Sequence, residues 1–314
     1  MLIQTTSQIV NVSEWNTDEH SDPFPQGARS KKVVQCPINT PHPFLIPGHR
    51  YLFKQSNENF PEQYWAEIIA YRVGCLVGVE VPPAFIAYDN EDGHAALIEW
   101  FYDWGGTDVK YVAGGDYMER LIPEFDRRRG QKHNIETVIR FGKAHQNAGL
   151  LMDTVEHWAK MLTFDAMIGN TDRHQDNWGV VFTFDDGILC ASFSPAFDNG
   201  TSLGHEILDR KLQNFRADNQ VEAYIKRGTH HLKWSMREQE PVGHVGLVVR
   251  FVEEHPETKK AVQSCLGGKI DEIEKMVLPL CEFDVGTALA PERADFIIRL
   301  LFARINRLRD ALGL

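Results

Sequence analysis

The 314-residue chain is 43% hydrophobic and 25% charged, the proportions of a soluble globular protein with surface enough to bury for one large domain or two lobes. Its 33 Lys and Arg against 44 Asp and Glu leave a net charge of −11, which weighs against nucleic acid and anionic membranes as partners. No apolar run approaches the roughly 20 residues that cross a bilayer, and the N-terminus lacks the basic and apolar regions of a signal peptide. The five cysteines (Cys36, Cys75, Cys190, Cys265, Cys281) are odd in number and far apart, which suits reduced thiols in a cytoplasmic protein and leaves no Cys-x-x-Cys pair for zinc.

In chain order, residues 1–30 are polar and dotted with proline. "KKVVQCPI" (31–38) and "HRYLFKQ" (49–55) predict two β-strands on either side of the Pro-rich "NTPHPFLIPG". A helix is expected next. Asn59 stands where a cap belongs, Pro61 lies near the first turn, and Trp65, Ile68, Ile69, Val73 and Leu76 share one face before Gly78. "VPPAFIAYD" (81–89), a turn at "NEDG", and "HAALIEWFY" (94–102) predict a hairpin. After Gly105-Gly106 the strand signal gives way to helical periodicity. Val155, Trp158, Ala159, Leu162 and Ala166 mark a helix from about Leu151 to Gly169, and Phe296, Ile297, Leu300, Leu301, Ile305 and Leu308 mark a last one from about Pro291. The expected fold class is α+β, with a strand-rich lobe over residues 1–104 and a mainly helical lobe over 105–314. A ligand belongs in the cleft between them.

Between those helices runs "IGNTDRHQDNWGVVFTFDDGILCASFSPAFDNGTSLG" (168–204). Asn170, Asp172, His174, Asp176 and Asn177 cluster before a hairpin, and Asp198 with Asn199 follows it. Singly, each is an ordinary turn residue. A turn centred on Asp186 sets Phe184 opposite Ile188 and Asn177 opposite Pro195, so Asn177 and Asp198 share one open end. An amide oxygen and a carboxylate there suit Mg²⁺ completed by phosphate oxygens. Asp172, five residues before Asn177, can accept the proton of an attacking hydroxyl. Such spacing, with a carboxylate beyond a hairpin, is what a kinase catalytic loop and metal-binding Asp require. His174 either relays a proton or holds the loop backbone, and Arg173 either touches phosphate or braces the loop.

The first lobe offers the complementary half. Lys54 ends a strand and Glu67 lies thirteen residues on, in the next helix, the order of a phosphate lysine and its helix glutamate. Taken singly, both would face solvent. In "PQGARSKK" (25–32), Gly27 with Lys31 would let backbone amides approach phosphate. Glu99 to Phe101 would present backbone groups to an adenine edge. "RRRG" (127–130) is expected to be a solvated charge run. The adjacent histidines of "RGTHHLKW" (227–234) would point apart on a helix and make no metal site.

"GNTDRHQDN" and "PAFDNGTS" resemble the N-x-D-x-H-x-x-N and P-x-x-D-x-x-S signatures of the HipA-like kinases. "EIIAYRVGCLVGVEVP" (67–82) is similar in spacing to that family's first-lobe helix, "LIEWF" to its hinge and "GARSKK" to its phosphate loop, so the likeness spans roughly residues 25 to 205. It implies a two-lobed protein-kinase-like fold and ATP- and Mg²⁺-dependent phosphorylation of protein Ser or Thr, often as a toxin with an antitoxin-like regulator. It implies Asp172 as catalytic base, with His174 beside it, and Asn177 and Asp198 as Mg²⁺ ligands. Lys54 becomes the ATP lysine held by Glu67, Gly27, Ala28, Arg29, Ser30 and Lys31 the phosphate loop, and Glu99 and Phe101 the adenine contacts. Two departures stand out. The family's regulatory serine position, about three residues before the loop glycine, holds Phe24 here, with Ser21 and Ser30 nearby. Only about 26 residues precede the phosphate loop, so a short form of the family is expected. "DRHQDN" is also similar to the D-R-H-x-x-N signature of phosphatidylinositol kinases, which keeps a lipid kinase as the rival. A catalytically silent nucleotide-binding regulator and a metal-dependent phosphohydrolase rank behind it.

Overall fold

The computed structural model describes residues 2–17, 31–102, 109–149, 153–185, 188–238, 240–268 and 270–314. In the first lobe, β1 (Val10–Asn11), β2 (Asn16–Thr17), β3 (Lys31–Gln35), β4 (Arg50–Lys54), β5 (Ala84–Asp89) and β6 (Gly93–Glu99) form one sheet ordered β1-β5-β6-β4-β3-β2. Only the β1–β5 pair is parallel among these. The period of two decides what each face carries. Tyr51 and Phe53 of β4 join Phe44, Phe85 and Leu97 in an apolar cluster on one face. Leu52 and Lys54 therefore turn to the other face, where Ala96 and Ile98 belong to the main core.

Across that second face lies α1 (Gln63–Val77), which ends at Gly78 in the left-handed conformation. The predicted stripe is there, but Tyr64, Ala66, Glu67, Tyr71 and Arg72 are buried as well, so the helix is enclosed nearly all round. Its N-cap is Glu62, not Asn59. Asn59 donates its amide to Asn57 in the preceding turn, and Ser56 Oγ accepts the Tyr64 amide instead.

The expected boundary at Gly105 lies outside the described residues. Beyond it, β7 (Lys110–Ala113) is a strand where helical periodicity was expected, paired with β8 (Gly179–Asp185), which in turn pairs with β9 (Ile188–Phe193). A four-residue strand with a remote partner leaves little local pattern. The β8–β9 register also corrects the expected one by a residue. Phe184 faces Leu189 and Asp185 faces Ile188, which leaves two residues to connect the strands, the loop length that Asp-Gly favours.

The rest is mainly helical: α2 (Gly114–Leu121), α3 (Ile135–Asn147), α4 (Thr154–Ile168), α5 (Asp218–Arg227), α6 (His244–Glu254), α7 (Lys259–Gly267), α8 (Ile273–Val277) and α9 (Pro291–Leu312), with a small ribbon of β10 (Thr229–His230) and β11 (Val242–Gly243). No helix among the described residues is long and apolar enough to cross a membrane. α4 sits in the middle, packed by α3, α6, α7 and α9. Asp153 caps its start by accepting the amides of Val155 and Glu156. Gly169 ends it at φ +69°, the left-handed conformation that favours glycine, and a Cβ there would also meet the Arg304 guanidinium.

Candidate active site

The turn at Gly169 delivers the chain into the Asn170–Asn177 loop, which is tied to itself. Asn170 Oδ1 accepts the Asp172 amide at 3.0 Å, and the Asp172 carbonyl accepts the Asn177 side-chain amide at 2.7 Å. His174 Nδ1 accepts the Asp176 amide at 3.1 Å, so its proton sits on Nε2 and the ring braces the loop backbone. The Asp172 side chain stays partly exposed, while Asn177 is buried.

Beneath the loop, Arg173 is 0% exposed and cannot reach a substrate phosphate. Its five N–H donors meet five acceptors. Nε and Nη2 clasp Asp165 of α4 at 3.0 and 2.7 Å, Nη2 also reaches Asn199 Oδ1 at 2.8 Å, and Nη1 is shared by the carbonyls of Asn177 and Phe197. One nitrogen thus joins the backbone of Asn177 to the residue before Asp198. Asp165 is just as buried. Burial pushes its carboxyl up, but the Arg173 guanidinium and the His230 hydrogen bond prevail and hold it at about 2. His230 accepts the Leu232 amide on Nδ1, so Nε2 donates to Asp165 at 3.1 Å. His244 Nε2 in turn donates to the Asn170 carbonyl at 2.7 Å.

Asp198 has φ +54°, a left-handed conformation uncommon for a residue with a side chain. It turns its carboxylate to the first lobe, where Oδ1 lies 2.7 Å from Lys54 Nζ. The same ammonium is 2.7 Å from Glu67 Oε1, and Glu67 Oε2 accepts the Asn199 amide at 2.9 Å. Lys54 and Glu67 are both buried, so the solvent-facing fate that base rates assign to each does not apply. Lys31, directly opposite Lys54 across β3 and β4, shares its cleft with Leu52, Glu99, Phe101 and Phe197. The Phe101 ring lies 5.2 Å from Phe197, and the cleft encloses only about 40 Å³.

The HipA-like C-terminal domain family matches residues 25–256. The chain belongs to that family. No curated protein matches it. Among solved structures it is similar to the proinflammatory kinase CtkA of Helicobacter pylori, at TM-score 0.70 and 13% identity over 98% of both chains. It is also similar to HipA of Shewanella oneidensis, solved with HipB and operator DNA, at TM-score 0.54 and 12% identity over 94% of this chain and 68% of that one. These likenesses show a kinase-like, two-lobed α+β fold.

In this HipA-like chain, Lys54, Glu67 and Asp198 meet directly, and Asn177 and Asp172 join them through Arg173 and Asn199. Lys31, Glu99 and Phe101 line the same cleft. Gly27, Ala28, Arg29 and Ser30, together with Ser21 and Phe24, lie outside the described residues. Besides His244, three participants carry no role in the sequence reading. Asn199 links Glu67 to Arg173. Asp165 is a lone carboxylate in the apolar run "LTFDAMI", which was the available signal. Arg127 opens the supposed solvated run, yet its guanidinium holds Asp176 at 2.7 Å and Asp116 at 2.8 Å, anchoring the catalytic-type loop from outside. The paired histidines sit in and after the β10 strand, not on a helix, and serve Asp165 and His133.

Proposed function

We propose that the chain is an ATP- and Mg²⁺-dependent kinase that transfers the γ-phosphoryl group to a Ser or Thr hydroxyl of a protein. The observation that carries this reading is the Lys54 ammonium at 2.7 Å from both Glu67 and Asp198, beside a loop holding Asp172 and Asn177. An ammonium fixed between a helix glutamate and a hairpin aspartate is the arrangement that grips phosphates in kinases. The donor set fits a nucleotide with a hard cation. Lys54 and Lys31 offer positive charge to phosphate oxygens. The Asn177 amide nitrogen is spent on the Asp172 carbonyl, so its Oδ1 is the atom to face a cation together with the Asp198 carboxylate. Mg²⁺ bound there would neutralise charge building on the phosphate oxygens.

Asp172 takes the proton of the attacking hydroxyl while that oxygen bonds to phosphorus, and the bond to the leaving ADP oxygen breaks with its electron pair. Glu67 and Asn199 hold Lys54 and Asp198 in register through that step, and Arg173 keeps the Asn177 end of the loop against Phe197. An adenine entering this cleft would lie beside the Phe101 and Phe197 rings, which are 5.2 Å apart. Residues 1–104 and 105–314 are the two lobes between which the nucleotide would lie. The five unpaired cysteines suit a reducing, cytoplasmic setting. An antitoxin-like protein is the partner this reading suggests, since the Shewanella HipA was solved with HipB.

The test is incubation with labelled ATP, Mg²⁺ and cell extract, followed by phosphoamino-acid analysis, with Asp172→Asn as control. Label in phosphoserine or phosphothreonine that the variant abolishes is expected. Label confined to the lipid fraction, or none above the variant, refutes the reading.

A further inference from the structure

If Lys54 is set by Glu67, the position of α1 sets the site, and α1 is held from the far end of the chain. Tyr64 Oη and Trp65 Nε1 both donate to the Thr287 carbonyl, at 2.6 and 2.9 Å, and Arg72 donates to the Met276 carbonyl at 2.7 Å. A fourth tie is a charge contact without a hydrogen bond to Glu62, whose carboxyl burial and the neighbouring Asp209 push up to about 7 against the pull of Arg293. Arg293, in the first turn of α9 and 4% exposed, places Nε 2.7 Å from Glu62 Oε2 at the N-cap of α1. The same guanidinium holds Asp209 Oδ1 at 2.8 Å and donates to the carbonyls of Gly204 and Ile207. Those three residues belong to the segment that begins at Asn199.

α1 and that segment are therefore joined twice. The near joint is Glu67 Oε2 on the Asn199 amide, and the far joint is Glu62 and Asp209 on one guanidinium. Glu62 and Glu67 lie five residues apart, about 7.5 Å along the helix axis. Two joints fix an angle where one would leave a pivot. Without the cation, the Glu62 and Asp209 carboxylates would face each other and push the elements apart.

We propose that Arg293 is a positioning residue for the phosphate site. It clamps Glu62 to Asp209, fixing α1 against the segment after Asp198 and so keeping Glu67 and Asp198 on either side of Lys54. Its catalytic consequence rests on the kinase reading, but the clamp itself does not.

Arg293→Met leaves two facing carboxylates and can fail to fold, so the decisive variant is Glu62→Ala. That change removes only the arm to α1 and leaves Arg293 with Asp209, Gly204 and Ile207. Hydrogen exchange of the Tyr64–Glu67 amides, thermal unfolding, and kcat and KM for ATP are measured on the full chain, with Glu62→Gln as the conservative partner. At pH 8, faster exchange at the start of α1 is expected in Glu62→Ala and also in Glu62→Gln, which keeps the side-chain shape but removes the charge, with a roughly tenfold fall in kcat/KM and a near-unchanged Tm. A residue that only stabilised the fold would lower Tm and leave kcat/KM alone. Unchanged exchange at α1, or wild-type kinetics beside an altered exchange pattern, overturns the proposal. If the wild type itself transfers no phosphate, the kinase reading fails, and the exchange data alone decide the clamp.

Discussion

Lys54→Met separates what Lys54 does for folding from what it does for phosphate. The side chain is 6% exposed and its partner Glu67 3%, whereas Asp198 at 31% keeps access to water. Loss of the ammonium leaves the Glu67 carboxylate buried, with the Asn199 amide still donating to it. Breaking a buried pair by removing one partner costs about 3–5 kcal/mol, against ~0–1 kcal/mol for an exposed pair. Asp198 recovers solvation and adds little, which places the expected loss near ~3 kcal/mol.

The double variant Lys54→Met/Glu67→Leu removes the stranded charge and leaves the Asn199 amide unpaired, a penalty of roughly 1–3 kcal/mol that packing of the two apolar side chains partly offsets. Urea unfolding at constant m should therefore rank wild type, then the double variant, then Lys54→Met. Phosphoryl transfer should be lost in both, because regained stability returns no cation to the phosphates. A Lys54→Met loss below ~1 kcal/mol, or a double variant as unstable as the two single losses added, would show that the pair is not the buried unit described above.

Asp172→Asn should unfold with the wild-type midpoint yet lose turnover by roughly 10²–10⁴, because the partly exposed carboxylate supplies a proton acceptor and little packing; near-full activity would reduce it to a loop residue. For Asp165, the folded pKa of about 2 lies below its ordinary value near 3.8. The native state thus binds fewer protons than the unfolded one in that window, and the stabilisation present above it is lost as pH falls through about 2. The stability gap between wild type and Asp165→Asn should accordingly narrow from pH 4 downwards in urea titrations; a gap that stays constant would contradict the sign. Mg²⁺ should bind measurably only with ATP present, since Asn177 and Asp198 supply two of the six oxygens it needs; calorimetry showing tight binding without nucleotide would rule out that pair as the metal site.

What the sequence makes legible here is local. The Asn170–Asn177 loop packs its polar residues within eight positions, the Asp-Gly turn announces a hairpin, and the hairpin returns Asp198 to the same end. Lys54 and Glu67 emerge from two periodicities, a strand alternation that sets Lys54 opposite Phe53 and a helix stripe beside Glu67. Even the one-residue error in the β8–β9 register leaves that end shared, because Asn177 and Asp198 both lie beyond the last strand pairs. The strand β7 is illegible for the opposite reason. Four residues carry almost no period, and their partner lies beyond α2, α3 and α4 in the chain.

The charged residues that sequence reasoning leaves without a role share a physical cause. Arg127, Asp165 and Arg293 each satisfy partners drawn from distant segments, and no spacing within one element records that. Together with Lys54 they show how the site is held. From β4 the contacts run Lys54–Glu67–Asn199–Arg173–Asp165–His230 without a break, crossing α1, the segment after Asp198, the loop, α4 and β10. Every link is buried, so removal of any one strands a neighbour away from water. Substitutions along this chain should therefore disturb folding and phosphate positioning together. Asp172 is not one of these links; its backbone amide and carbonyl are hydrogen-bonded within the loop, and the residue remains partly exposed. Replacing it by Asn is therefore expected to remove chemistry and keep the scaffold.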